Sequence, residues 1–135
     1  MSSRSATTRR FVLLWHETPP GANRPSHFDL MLETAEALDT WALAEEPRIG
    51  RVQVADRLAN HRKAYLDYEG PVSGNRGYVT RWDEGPCRVE QSSDSLCIAR
   101  LQGRRLRGLI QLQRLGDQAQ RWTCRFLPEE SADAC

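Results

Sequence analysis

The stretch HFDLMLE, His27–Glu33, decides the fold because apolar and polar side chains alternate along it. In an extended strand, successive side chains point to opposite faces. One face of this strand is therefore apolar: Phe28, Leu30 and Leu32. The other face carries an imidazole, a carboxylate, a thioether and a second carboxylate: His27, Asp29, Met31 and Glu33. The pattern predicts a strand whose apolar face lies in a core and whose polar face is available for chemistry.

Alternating segments of the same kind occur along most of the chain. They predict strands in RFVLLWH (10–16), DTWALAEEP (39–47), GRVQVAD (50–56), RGYVTRWDEG (76–85), CRVEQ (87–91), SLCIARLQG (95–103), RRLRGLIQLQRL (104–115) and QRWTCRFLP (120–128). Turns are expected at Gly74-Asn75, Asp83-Glu84-Gly85, Gln102-Gly103 and Gly116-Asp117. Many short strands separated by such turns predict an all-β fold, a compact antiparallel β-barrel. Residues 56–70, DRLANHRKAYLDYEG, have helical spacing and predict one short helix or structured loop.

Length and composition indicate a single globular domain, which we predict over residues 10–128 of the 135. Residues 1–9 are expected to form a disordered basic tail, and residues 129–135 a frayed C-terminus. No apolar run approaches the roughly 18 residues of a membrane helix, and no signal-peptide core follows the basic N-terminus. A cytoplasmic protein without a membrane partner is therefore expected. The net charge of +1 argues against a globally electrostatic nucleic-acid binder.

The four cysteines do not suggest a metal site. They are Cys87, Cys97, Cys124 and Cys135, and none forms a CxxC pair. The spacing disfavours structural zinc and predicts reduced thiols.

The three histidines of the chain are His16, His27 and His61. His16 ends the first predicted strand and His27 begins the second, so a hairpin would bring the two imidazoles to the same end of the sheet. Asp29 shares a strand face with His27. Two imidazoles and one carboxylate suit Mn²⁺, Fe²⁺ or catalytic Zn²⁺. The alternative is an ordinary polar strand face with hydrogen-bonded histidines.

Several short motifs resemble, in order, those of the 3′-phosphoesterase domain of bacterial DNA ligase D and its free-standing relatives. That family has a histidine after an apolar strand, then a His-Tyr-Asp-Phe-Arg-Leu-Glu strand, and this chain has His16 and HFDLMLE. Its Ser-Trp-Ala-Val strand ending in Pro corresponds to TWALAEEP, and its Asp-His-Pro-Leu-Asp-Tyr and Phe-Glu-Gly to NHRKAY and YEG. Its Val-Trp-Asp-x-Gly and Leu-x-Gly-x-Lys-Leu-x-Gly segments correspond to GNRGYVTRWDEG and LQGRRLRG.

The resemblance implies a compact β-barrel that processes DNA 3′ ends, removing a 3′-phosphate or a 3′-ribonucleotide, with Mn²⁺ as the typical cofactor and Zn²⁺ or Fe²⁺ as alternatives. By motif match, His16, His27 and Asp29 would hold the metal. His61 and Tyr65 would be catalytic and face the phosphate. Glu33 would be a polar support near the site. The DNA end, which could contain RNA, is the implied partner, and a separate ligase or polymerase would act with it.

Three departures from the family pattern bear on the phosphate site. Met31 stands where the family has an arginine that would contact phosphate, and a thioether cannot make charge-assisted hydrogen bonds. The segment between His16 and His27 is longer than in the family, and Glu17-Thr18 replaces the usual Asp-Ala. The phosphate contact could instead come from one of four arginines: Arg24, Arg62, Arg76 or Arg81.

The sequence leaves two other functions open. The protein could be a catalytically impaired module of the same fold that binds nucleic-acid ends, which Met31 motivates. It could also be a non-haem iron oxygenase, because His27, Asp29 and His61 match a two-histidine, one-carboxylate pattern. Oligomeric state is not predicted.

Overall fold

The computed structural model describes residues 9–128, and the alternating segments form nine strands there. The strands are β1 (Arg9–Glu17), β2 (His27–Glu33), β3 (Leu38–Leu43), β4 (Val52–His61), β5 (Gly70–Pro71), β6 (Tyr78–Ser92), β7 (Leu96–Gln102), β8 (Arg107–Arg114) and β9 (Arg121–Pro128). Strand β1 begins at Arg9, the last residue of the predicted tail. The rest of that tail and residues 129–135 lie outside the described part of the chain.

All strand pairings are antiparallel, and eight of the strands form a ring. The order is β1-β2-β3-β4-β9-β8-β7-β6, and β6 pairs back with β1; the short β5 is added beside β6. The all-β prediction is confirmed, and one antiparallel sheet runs through eight strands and returns to the first. Sheet closure removes exposed strand edges, which would otherwise offer unpaired backbone groups to other chains.

Residues 56–70 contain a single 3₁₀ turn, η1 (Lys63–Leu66), and no α-helix occurs between residues 9 and 128. The helical spacing was misleading for residues 56–61, because they continue strand β4 and pair with β3. The described residues accordingly contain no helix that could span a membrane.

The alternating apolar residues of the ring point inward. All eight ring strands contribute to one interior cluster, which includes Leu13, Leu30, Trp41, Ile110 and Phe126. Complete burial of a side chain of this size contributes roughly 1.5–3 kcal/mol. Inward packing from every strand is thus the main stabilising term of the ring.

A second, smaller apolar cluster lies on the outside of the ring, over β1 and β2. It consists of Val12, Leu14, Met31, Leu38, Leu66, Val72 and Val79, with Tyr65 packed against it. We call it the outer cluster. Leu66 and Val72 belong to the segment between β4 and β6, so this segment covers part of the outer face. Strands β1 and β2 are therefore buried on both faces at this point.

The turn expected at Asp83-Glu84-Gly85 is wrong, because β6 continues through these residues for 15 residues in all. Asp83 is buried and its carboxylate accepts hydrogen bonds from four backbone N–H groups. These belong to Glu84 (2.9 Å), Arg104 (2.8 Å), Arg105 (3.1 Å) and Leu106 (2.7 Å). The aspartate, typical of a turn in sequence, instead stabilises a different turn, the one between β7 and β8. The other three expected turns lie outside strands or at strand ends.

Candidate functional site

Two histidines and an aspartate come together on the outer face of β1 and β2. The hairpin brings the two imidazoles to the same end of the sheet, as predicted, and the register goes further: His16 and His27 are directly opposite each other, and Asp29 is opposite Leu14. His16, His27 and Asp29 each offer a ligand atom, and these atoms lie within 4.8 Å of one another. We call these three residues the His–Asp cluster. His27 and Asp29 are buried, and His16 is half-buried.

Backbone carbonyls fix the orientation of both imidazoles. His16 Nε2 lies 2.8 Å from the carbonyl oxygen of Arg76, and His27 Nδ1 lies 2.8 Å from that of Pro25. A carbonyl only accepts hydrogen bonds, so the nitrogen facing it carries the proton. The other nitrogen of each ring, His16 Nδ1 or His27 Nε2, faces Asp29. Metal-binding histidines have this arrangement, with one nitrogen anchored by a hydrogen bond and the other directed at the ion.

The Asp29 carboxylate is buried but incompletely paired. His16 Nδ1 lies 3.2 Å from Oδ2. His27 Nε2 lies 3.0 Å from Oδ1, but not in hydrogen-bonding geometry, so Oδ1 has no hydrogen-bond partner among residues 9–128. Burial opposes ionisation, but the two imidazoles outweigh it and keep the pKa of Asp29 below its usual range. The carboxylate is thus ionised, with a free acceptor atom.

The same contact acts on His16. The hydrogen bond with Asp29 raises the pKa of His16, partial burial opposes this, and the Arg76 carbonyl supports it. The Asp29 carboxylate thus favours the protonated form of His16. The atoms that face one another in the cluster, two ring nitrogens and one carboxylate oxygen, form a donor set that suits a divalent transition-metal ion.

Two hollows meet at the His–Asp cluster. The larger, about 490 Å³, extends over residues 18–24, the segment that is longer than in the resembled family. The smaller, about 310 Å³, extends toward Met31, Arg62, Tyr65 and Val72. His16, Asp29, His61 and Arg76 line both hollows. A ligand at the cluster could therefore extend in two directions.

His61 and Tyr65, expected to face a phosphate, both lie at the smaller hollow. His61 Nδ1 lies 3.0 Å from the carbonyl oxygen of Ala59, which leaves Nε2 as the nitrogen for a ligand. The Tyr65 ring meets the His61 ring edge-to-face, with 5.5 Å between centroids. His61 is not part of the metal-ligand cluster, whose second histidine is His16. The ligand triad of the oxygenase alternative, with His61 in it, is not assembled in the described region.

Glu33 lies away from the hollows and connects two elements of the outer face. Its Oε1 accepts a hydrogen bond from the backbone N–H of Arg10 (2.9 Å), and its Oε2 lies 3.3 Å from Lys63 Nζ. Lys63 is the first residue of η1, which carries Tyr65. Glu33 therefore ties η1 to the sheet and contacts neither His16 nor Asp29 through any described hydrogen bond.

Three of the four arginines considered for the phosphate contact line a hollow. Arg24 lines the larger one and pairs with Asp56 at 2.8 Å. Arg76 lines both, and its guanidinium donates to the carbonyl and hydroxyl of Ser73. Arg62 lines the smaller one and is exposed, with no ion pair inside the described chain. Arg81 lines neither hollow and lies 3.7 Å from Glu84.

Met31 forms part of the floor of the smaller hollow. It is 1% exposed and belongs to the outer cluster. Its packing explains why an apolar residue interrupts the polar face of β2, because this is where the segment between β4 and β6 covers the sheet.

The contribution of the loop 73–77 was missed in the sequence. Gly77 has φ 103°, and a Cβ there would collide with the backbone carbonyl of Glu17. Glycine thus allows the loop to lie against the end of β1, where the Arg76 carbonyl meets His16. The glycines in SGNRG were a signal for this close approach, but they gave no indication of its partner.

Comparison with known proteins identifies the family of the chain. No curated protein matches the chain. The family model described as "DNA Ligase D 3'-phosphoesterase domain" matches residues 20–114, more than half of the chain. The matched range contains His27, Asp29, His61 and Tyr65 and begins after His16. The chain therefore belongs to the DNA ligase D 3′-phosphoesterase domain family, in agreement with the resemblance seen in its motifs.

Proposed function

We propose that this protein is a metal-dependent phosphoesterase that acts on DNA 3′ ends in end repair and removes a 3′-phosphate or a 3′-ribonucleotide. Membership of the family supports a phosphoesterase-type function. The observation that carries the proposal is the His–Asp cluster, whose ligand atoms lie within 4.8 Å of one another where two hollows meet.

The residues present fit a divalent cation. The orphaned Oδ1 of Asp29 is a buried anionic acceptor that requires a partner, and a cation would provide one. His16 Nδ1 and His27 Nε2 would complete the ligand set. Mn²⁺ is the proposed ion, and Zn²⁺ and Fe²⁺ suit the same donors. When bound, the ion would supply Lewis acidity toward a phosphoryl oxygen and the attacking water.

His61 and Tyr65 would act on the phosphate itself. Because the Ala59 carbonyl accepts from Nδ1 in either protonation state of His61, Nε2 can carry or release a proton without rotation of the ring. A protonated His61 would donate from Nε2 to the leaving oxygen. The Tyr65 hydroxyl would donate to a non-bridging oxygen. Arg62 is the cation best placed to support them, since Arg24 is already paired and Arg76 is engaged with Ser73.

Two hollows at one cluster suit an ester with organic groups on both sides of phosphorus. A 3′-terminal ribonucleotide is such a substrate, because the DNA strand and the departing nucleoside flank one phosphate. The volume of the larger hollow falls within the range of small-molecule sites, and that of the smaller hollow lies at the lower end of this range. Departure of the nucleoside would leave a 3′-phosphate on the DNA strand. Hydrolysis of that phosphate, the other proposed substrate, would then give a ligatable 3′-hydroxyl for a separate ligase or polymerase.

The second candidate is an end-binding module that has lost hydrolysis. Met31 favours it, because a buried thioether occupies the floor of the hollow where a guanidinium would add positive charge. Such a protein would retain the cation and the DNA end without turnover.

The test is hydrolysis of a 3′-phosphate and a 3′-ribonucleotide on a primer–template with Mn²⁺, together with Mn²⁺ binding measured by calorimetry. Asp29→Asn should lower turnover more than 100-fold, since loss of even an outer-shell partner of a metal site costs about 10–100-fold. It should also abolish Mn²⁺ binding. Asp117→Asn, an exposed turn residue, is the matched control and should change neither.

The outcomes separate the candidates. Turnover by the wild type that is lost in Asp29→Asn supports the enzyme. Mn²⁺ and DNA binding without turnover supports the end-binding module. Undiminished turnover in a folded Asp29→Asn protein would show that the His–Asp cluster is not the site.

A further inference from the structure

A third hollow, larger than the two at the His–Asp cluster, opens at one end of the ring. Its volume is about 710 Å³. Two indoles, two guanidinium groups and two carboxylates line it: Trp41, Trp122, Arg57, Arg114, Asp39 and Asp94. We call it the end pocket. The family-based assignment of site residues includes none of these six.

Two hydrogen-bond donors at the end pocket have no acceptor. Trp41 is 1% exposed, and its indole Nε1–H is unpartnered among residues 9–128. The Nε–H of Arg114 is also buried, and the described chain offers it no acceptor. The neighbouring indole differs, because Trp122 Nε1 donates to the carbonyl of Ala119 at 3.0 Å. A buried donor left unsatisfied costs about 1–3 kcal/mol, so two in one pocket indicate a ligand that accepts hydrogen bonds.

The charges of the pocket favour a neutral ligand. Arg57 lies 3.2 Å from Asp39, and Asp94 and Arg114 also line the pocket, so the lining contains two acids and two bases. A phosphate dianion would meet two carboxylates here. A neutral heteroaromatic ring would not, and its ring nitrogens and carbonyl oxygens could accept from Trp41 and Arg114.

Planar groups at the pocket suit such a ring. The Arg57 guanidinium stacks over the Trp41 ring at 4.6 Å from its centroid and lies 5.9 Å from that of Trp122. Trp41 and Trp122 are only 1% and 3% exposed, so the guanidinium plane of Arg57 is the surface left for a base. Guanidinium planes are among the surfaces on which proteins stack unpaired bases.

The end pocket and the candidate active site share a wall. Leu58 lines the end pocket and the larger hollow, while Ala59 and Asn60 line the end pocket and the smaller one. The next residue, His61, lines both hollows at the His–Asp cluster. A single strand whose 3′ end lies at the cluster could therefore cross residues 58–60 and place a base in the end pocket.

We propose that the end pocket is a nucleobase subsite, which holds an unpaired base a few nucleotides from the 3′ end. This inference rests on the proposed function, because it takes the strand to be anchored at the His–Asp cluster. It assigns the substrate as an end with a single-stranded segment, and it assigns Trp41 and Arg114 as binding residues.

The experiment is an abasic scan. A labelled single-stranded oligonucleotide with a 3′-hydroxyl is titrated with the Mn²⁺-loaded protein, and one base at a time is removed from the four positions nearest the 3′ end. Loss of one particular base should weaken binding at least about fivefold, the lower end of base stacking on protein side chains. Trp41→Phe and Arg114→Gln should each weaken binding of the intact strand. In both variants, removal of a base should have the same small effect on affinity at all four positions, which we call a flat scan. Arg125→Gln, an exposed arginine of β9 outside the pocket, is the matched control and should preserve the scan.

A flat scan in a protein that binds and hydrolyses 3′ ends would overturn the subsite and leave the proposed function intact. A position-specific effect that persists in both Trp41→Phe and Arg114→Gln would also overturn it. If Trp41→Phe does not fold, Arg114→Gln alone decides. Absence of both DNA binding and turnover would overturn the subsite and the proposed function together.

Discussion

Two buried aspartates lie on either side of β1 and have opposite surroundings. Asp29 on β2 is opposite Leu14, and Asp83 on β6 is opposite Leu13. Their exposures are 2% and 3%. Four backbone N–H groups saturate Asp83. Asp29 faces two imidazoles, and one of its oxygens has no hydrogen-bond partner within residues 9–128.

The difference distinguishes a carboxylate with a structural role from one that is available to a ligand. A carboxylate whose acceptor positions are filled by the backbone has no capacity left for a cation, and its role is to hold the turn between β7 and β8. A carboxylate with a free oxygen beside two anchored imidazoles is prepared for one. The same residue type, equally buried on neighbouring strands, thus belongs to a closed region in one case and to an open region in the other.

The largest expected effect distinguishes the two carboxylates by stability. Asp83→Ala leaves four N–H groups without their acceptor and should lower the free energy of unfolding by at least about 3 kcal/mol. The melting temperature should fall by roughly 10 °C. Asp29→Asn in the metal-free protein should lower the free energy of unfolding less than Asp83→Ala does, because it replaces an incompletely paired carboxylate by an amide of the same shape and leaves no backbone N–H without an acceptor. Urea denaturation of both variants measures this directly.

The activity assay should show the reverse order. The Asp29→Asn protein should be fully folded and yet lose turnover. The Asp83→Ala protein should retain turnover at temperatures where it is folded. Equal losses of stability in the two variants would remove the distinction between the closed and the open region.

Local periodicity predicts the strands well, and it predicts which side chains of HFDLMLE share a face, because side-chain alternation is a property of a single strand. The hairpin prediction placed His16 and His27 at the same end of the sheet. It could not specify that they lie directly opposite each other, because residues 18–26 separate the two strands. Asp83 was assigned to a turn, since Asp-Glu-Gly is common in turns. Three of its four actual partners, the N–H groups of residues 104–106, are more than 20 residues away in the chain. Local sequence does not specify such long-range hydrogen bonds.

The surroundings of the candidate site were predictable only in part. The motifs identified His61 and Tyr65, and the structure brings both to a hollow beside the His–Asp cluster. Arg81 could not be separated from the other arginines in the sequence, because exposure of an arginine on the outer face depends on the covering segment. The same dependence hid the burial of Met31.

Replacement of Met31 tests the open region with a smaller effect. Met31→Arg places a charged group in the outer cluster, from which its long side chain can reach the smaller hollow. Overpacking at this site should cost about 1–3 kcal/mol of stability. If the protein is the proposed phosphoesterase, the added guanidinium should raise turnover about tenfold through one charge-assisted contact with phosphate. Thermal unfolding and the 3′-phosphatase assay measure the two effects.

Met31→Leu is the matched control, since a volume-conserving exchange should cost less than about 1.5 kcal/mol and leave turnover unchanged. Lower stability without a gain in turnover, in an active protein, would show that Arg62 or another cation already makes the phosphate contact.

The smallest effect concerns the thiols of the closed region. Burial raises the pKa of Cys87 and Cys124 to about 12, and that of Cys97 to about 11. At pH 8 the reactive thiolate of each is then about one part in a thousand or less. Iodoacetamide should label none of the three within the time that labels them fully in urea, as measured by mass spectrometry. Cys135 lies outside the described residues, so the Cys135→Ser variant is used.

Cys97 should be the first of the three to react as the pH is raised, because burial shifts its pKa least and it alone of the three lines the end pocket. Rapid labelling of Cys87 or Cys124 at pH 8 would mean that the ring interior opens on the timescale of the reaction. The closed and open regions would then differ only in degree. If the interior opens to solvent, the hydrogen bonds of the Asp83 carboxylate must break at times as well.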